Sequence, residues 1–336
     1  MSSKNIRDIW VDNVKAIACI LVALGHFFMS LNEAHIIEDN VFIDWFITTI
    51  YMFHVQLFFI CSGYLYQKYS SVTTYKEWKN NIIKKFVALG VPYFTFSTIT
   101  WMLKHLFSSV VNSKTDGFFH CLFISPLSPY WYLFILFIIF VISFTGKTQK
   151  SLIILFFASL LCQIYSLFGK AFHIYAIDKT FIVWIWFVLG MLIAEKYVPI
   201  AKWKYCLVLF ALFIIGSVLV YRNVIVFTGV KFLLGLLACY SIICLNYSVS
   251  SNTEQNKYWE RFTQYTMPVF LMHTIFAAPI RILLQKLGIT NSFIHFFVGI
   301  IVTFIGPIIA MNVMEIIKPL DFLIYPTRYI KFNRTR

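Results

Sequence analysis

The chain has 336 residues, is 60% hydrophobic and only 12% charged, and carries a formal net charge of +14 with a mean hydropathy of +0.78. An average soluble domain is about 25% charged, so too little polar surface is present to cover a water-soluble globule, and a membrane class follows. Nucleic acid is not the expected partner of the positive charge, because Lys and Arg fall mainly between apolar runs, as suits anchoring to an anionic leaflet.

In chain order, runs of roughly 17–25 mostly apolar residues, enough to cross a bilayer as helix, predict an all-α polytopic bundle. The ten spans fall over residues 14–31, 43–66, 84–106, 130–146, 151–168, 178–195, 205–221, 224–246, 263–284 and 292–316. Connections are brief, so one integral membrane domain over 1–336 is expected. The longest connection, around 104–129, has room for a short surface helix. Lys4, Arg7 and Lys15 lead into the first span without a small-residue cleavage site, so that span is expected to stay in the protein. With the N-terminus inside, alternate loops place 20 of the 28 Lys and Arg on the inner side and 8 outside. This bias puts both termini in the cytoplasm. The seven cysteines contain no C-x-x-C pair, and Cys19, Cys162, Cys206, Cys239 and Cys244 lie in apolar runs, where they read as small buried hydrophobes.

Three histidines fall deep inside predicted spans: His26 in the first, His54 in the second and His273 in the ninth. Ionisable groups at that depth are costly and usually face an interior cavity or pathway. Lys15 and His26 are eleven residues apart, which places them within about 20° on one helix face and ~16 Å apart along it. The plain reading is a snorkelling lysine below a histidine bonded to a neighbouring helix. The sharper one is a basic end and a reactive ring on one stripe. Burying a charge is costly, so the rings are expected to be neutral, and a neutral imidazole can take a proton from a hydroxyl. It can equally ligate a metal or relay protons, but Asp and Glu are scarce in the spans, Glu315 being nearest, so no metal site is expected. Gly146-Lys147-Thr148 lacks the upstream glycine of a phosphate loop, and no G-x-S-x-G elbow is present. Ser62 beside Gly63 reads as a close-packing pair, and Trp131-Tyr132 as an interfacial belt, with a gate as the lesser reading.

The pattern Arg7-x4-Asp12-x2-Lys15-x10-His26 resembles the signature of the membrane-bound acyltransferase-3 family. Phe53-His54-Val55-Gln56-Leu57-Phe58-Phe59-Ile60-Cys61-Ser62-Gly63-Tyr64 is similar to that family's second-span block, above all in its fucose 4-O-acetylase-like and polysaccharide O-acetyltransferase branch. Lys84-Lys85-Phe86 through Pro92-Tyr93, Trp131-Tyr132-Leu133, Phe187-Val188-Leu189-Gly190 and Pro268 to His273 correspond in order. Lys15 stands where Arg is commoner, and Gln56 where proline is frequent. The soluble esterase-like domain of some longer relatives is not expected here.

The resemblance implies an O-acyltransferase of the bacterial inner membrane that takes acetyl-CoA as donor and a sugar hydroxyl of a surface polysaccharide or lipid-linked glycan as acceptor. It implies that Lys15, Lys84 and Lys85 hold the donor phosphates and that His26 is the general base or a transient acyl carrier. His54 and His273 would orient it, bind the acceptor or stabilise the oxyanion. Asp12 would fix Lys15, Arg281 would stand on the acceptor side, and membrane lipid would be the surrounding partner. Two other classes stay open: a transporter or flippase of a lipid-linked glycan with a histidine-lined path, and a scaffold, which leaves the buried histidines unexplained.

Overall fold

The computed structural model describes residues 8–37, 40–70, 72–109, 115–250, 256–330 and 332. Its helices are α1 (Ile9–Glu33), α2 (Val41–Ile50), α3 (His54–Tyr69), α4 (Tyr75–Leu106) and, after a π-helical turn over His120–Ile124, α5 (Trp131–Ile142). There follow α6 (Gln149–Leu167), α7 (Tyr175–Ala194), α8 (Trp203–Tyr221) and α9 (Val230–Ser250). The chain closes with α10 (Lys257–Gln264), α11 (Thr266–Lys286), α12 (Ser292–Ile316), α13 (Lys318–Ile324) and a 3-10 turn over Pro326–Arg328. Among the described residues nine helical stretches are long and apolar enough to cross a membrane, with Val41–Tyr69 counted as one, and Trp131–Ile142 is a tenth, shorter apolar helix. The protein is thus a polytopic helical membrane bundle. Phe157 and Leu161 on α6, Ile215 on α8, and Phe297, Ile301 and Ile309 on α12 remain exposed. Such apolar side chains suit lipid, where the helical backbone is satisfied internally.

Polar caps mark several water-facing helix starts. The side chains of Asn40, Thr148 and Asn291 accept from the first free N–H groups of α2, α6 and α12. Thr74 and Glu77 form a reciprocal capping box on α4. That box starts α4 at Tyr75, well before the expected 84, so Lys84 and Lys85 lie on the helix and not at its mouth.

One expected span is broken. The second, expected as continuous over 43–66, stops at Ile50 and restarts at His54. Phe53 N–H turns back onto Ile50 O (3.1 Å), and the His54 ring takes the same carbonyl through Nδ1 (2.5 Å), so the ring stands in for the backbone donor that continuation would need. The ninth, expected over 263–284, is found as the single helix α11 over Thr266–Lys286, with the short α10 set off before it at Tyr265. Gln56 consequently lies in the first turn of α3, whose N–H groups have no helical acceptor and where proline is tolerated. Gln56→Pro is therefore expected to shift the thermal midpoint of purified protein by only a few degrees. A collapse of the fold would show that the Gln56 N–H is needed.

The closest packing is between α3 and α7. A Cβ added at Gly63 would overlap Phe187 O, and one at Gly190 would overlap Ile60 O, so the two backbones touch. Trp186, Phe187 and Phe59, all fully buried, fill the core beside this crossing. Two of the family-like segments, the one ending at Gly63-Tyr64 and Phe187–Gly190, therefore meet as structure.

Candidate functional site

α1 carries both ends of the site. His26 lies in its C-terminal half, about 10 Å from the helix end at Glu33 and about 25 Å from its start at Ile9.

The bundle brings the three histidines together. The His26 and His273 ring centroids are 5.4 Å apart, and His26 is close enough to His54 and His273 to act on both electrostatically. His54 and His273 are buried. His273 Nδ1 lies 3.0 Å from Val269 O and 2.9 Å from Phe270 O, and His54 Nδ1 faces Ile50 O. A carbonyl only accepts, so in both rings Nδ1 carries a proton, and in the neutral ring Nε2 then keeps its lone pair. Nε2 of His273 is buried without a partner. His26 differs: its Nε2 is 3.3 Å from Ser128 Oγ, on the loop before α5. No group of three His, Cys, Asp or Glu side chains among the described residues is arranged to hold a metal ion.

Toward the N-terminal end of α1, Lys15 and Asp12, one turn apart, both act electrostatically on Cys61 of α3. Lys15 and Lys84 act likewise on Lys85, whose Nζ sits 4.3 Å from the Phe140 ring centroid on α5. Lys15, Lys84 and Lys85 are thus gathered into one basic region from α1 and α4. Lys68 is committed elsewhere, 2.8 Å from Asp8. Arg7 lies outside the described residues.

The remaining candidates are dispersed. Arg281 is buried on α11, and its Nη1 donates to Ser30 O (3.3 Å), one turn outside His26, with Glu33 close enough to act on it. Ser62 Oγ is 3.2 Å from Tyr132 OH. Trp131 starts α5, with Lys179 Nζ 5.4 Å from its ring centroid.

Two features were not foreseen. Ser128 is a loop serine with no local motif. Tyr51 packs edge-on against His54 at 4.7 Å and forms, with Met29, Asn32, Glu33 and Asp44, the wall of a cleft of about 760 Å³. The helix break that turns Tyr51 toward His54 has no signature in an equally apolar stretch.

Comparison with known proteins places this geometry in context. Residues 8–312 match the acyltransferase domain family. A 129-residue stretch, 38% of the chain, is 29% identical to Nodulation protein NolL of Mesorhizobium japonicum, covering 33% of that protein. A 61-residue stretch, 18% of the chain, is 44% identical to Nodulation protein NolL of Sinorhizobium fredii, covering 16% of it. The matches thus span a third or less of these curated relatives. No solved structure matches the chain.

Proposed function

The chain belongs to the acyltransferase domain family, and from that premise we propose that it is an O-acyltransferase of the bacterial inner membrane, moving an acetyl group from cytosolic acetyl-CoA to a sugar hydroxyl of a surface polysaccharide or lipid-linked glycan. The observation that carries this reading is the outer end of α1, where the His26 ring lies beside His273 and its Nε2 faces a hydroxyl at 3.3 Å. That is the contact a general base needs with the hydroxyl it deprotonates.

The donor phosphates belong at the inner basic region. Lys15, Lys84 and Lys85 are like charges held near one another, an arrangement that a polyanion relieves. Lys15→Ala is expected to raise KM for acetyl-CoA about tenfold, the worth of one charge-assisted contact, with kcat little changed. Lys15→Arg keeps the charge and should retain donor use, so a loss with Arg as large as with Ala would sink the phosphate contact. The assay is transfer of radiolabelled acetyl from acetyl-CoA to glycan in purified membranes.

A glycan flippase is the second reading, favoured by the broken second span, since discontinuous helices line the binding sites of many transporters. Glycan movement without acetyl transfer in the same membranes would establish it and overturn the first.

A further inference from the structure

We infer that Ser128 is a nucleophile that carries the acyl group as a covalent ester between donor and acceptor, with His26 as its base. The inference rests on the acyl-transfer reading above and adds to it a catalytic residue and an intermediate.

Three observations carry it. The first is the contact itself: Ser128 Oγ lies 3.3 Å from His26 Nε2, within the reach expected of a nucleophile and its base before substrate tightens the pair. The second is access. Ser128 is exposed while Pro129 and Tyr130 behind it are buried, so its hydroxyl is open to an incoming carbonyl. The third is rigidity. Tyr130 is fully buried, its OH donates to Leu271 O (3.0 Å) and lies 2.8 Å from Thr100 Oγ1, and Trp131 N–H closes on Leu127 O (3.0 Å). Leu271 is two residues before His273, so one strut fixes the serine loop to the helix that bears the second histidine. His273 offers no equivalent pair, because its Nε2 has no hydrogen-bond partner, and the hydrogen bond of His54 runs from Nδ1 to the Ile50 carbonyl and not to a hydroxyl.

The location also asks for a carrier. Donor phosphates at Lys15 and an acceptor arriving from outside approach His26 from opposite directions. A covalent ester lets the first leave before the second arrives.

In the first half-reaction Ser128 Oγ attacks the thioester carbonyl carbon and its proton passes to His26 Nε2. The tetrahedral oxyanion collapses, the C–S bond breaks, and the CoA thiolate leaves with the proton from His26. Ser128 is then an acetyl ester and His26 is neutral. In the second half the acceptor hydroxyl oxygen attacks the ester carbonyl and gives its proton to His26 Nε2. The C–Oγ bond breaks and the Ser128 alkoxide takes that proton back. The net change is acetyl-CoA plus an alcohol to CoA plus an acetyl ester.

The test is to incubate the full chain, purified in detergent, with radiolabelled acetyl-CoA and no acceptor, and to locate the label by peptide mass spectrometry. Stoichiometric acetyl on Ser128, resistant to neutral hydroxylamine, is expected. Ser128→Ala should lower labelling by about 10²-fold or more, the scale of losing a catalytic group. Ser128→Cys should keep the label as a thioester that neutral hydroxylamine cleaves, which shows that the substituted loop still folds. A wild-type protein that acetylates glycan in membranes but takes no label at Ser128, or a Ser128→Ala variant with undiminished transfer, overturns the nucleophile and leaves the acyl-transfer reading standing. Absence of glycan acetylation by the wild type overturns both.

Discussion

His26→Ala is expected to lower acetyl transfer by about 10²–10⁴-fold, the usual contribution of a positioned general base, at near wild-type abundance in the membrane. The two halves of that expectation have separate grounds. The loss of rate follows from His26 being the histidine of the three whose Nε2 meets a side-chain hydroxyl. The retention of fold follows from what the ring does not hold: it is half-buried, and the hydrogen bond it makes is to exposed Ser128, so its removal strands no buried group. His54→Ala is the informative contrast. That ring is buried and bonds Ile50 O at the helix break, and its loss should cost stability as well as rate, by about 1–3 kcal/mol for the lost packing and the lost hydrogen bond. The measurements are glycan acetylation at matched abundance and thermal unfolding of each purified variant. Equal activity in His26→Ala and wild type would end the base assignment. Because base and nucleophile work as a unit, the double variant His26→Ala with Ser128→Ala should be scarcely slower than either single one.

The second large effect is on folding. Gly190→Leu and Gly63→Leu are each expected to remove folded protein from the membrane, since even a Cβ at either position would overlap a backbone carbonyl of the facing helix. A side chain can swing away from a clash, whereas a helix backbone moves only by separating the whole α3–α7 crossing. That would cost more than about 4 kcal/mol, the range reserved for gross overpacking. Gly90→Ala on α4 is the control: its nearest neighbours are 3.9 Å away on rings of Phe86 and Phe94 of its own helix. There the usual gain of about 0.5–1 kcal/mol for replacing a helical glycine is expected. Fluorescence-detected size exclusion in detergent reads both, and a monodisperse Gly190→Leu protein would contradict the close crossing.

How far the sequence speaks depends on which distances it encodes. The spans were legible because hydrocarbon selects apolar runs, and Lys15 and His26 could be aligned because 3.6 residues per turn relates positions on one helix. No such rule relates His26 to His273, which sit 247 positions apart with ring centroids at 5.4 Å. Their meeting is set by how α1 packs on α11. The start of α4 was legible in principle, as the Thr74-x-x-Glu77 box, but the polar stretch Lys76–Lys85 masked a helix that continues out of the hydrocarbon. The break at 51–53 was not, because Tyr51, Met52 and Phe53 are as apolar as the helices either side. Ser128 has no motif around it, and its importance is visible only from the nitrogen it faces.

The ~16 Å along α1 between Lys15 and His26 has an electrical meaning. A charge moved through the full membrane potential exchanges about 2.3 kcal/mol per 100 mV. In the proposed reaction the phosphates stay at the inner lysines, and the group handed outward past His26 is a neutral acetyl. The separation of anchor from reactive ring therefore lets the cell export an activated carbon unit without electrical work, whichever way the membrane is polarised.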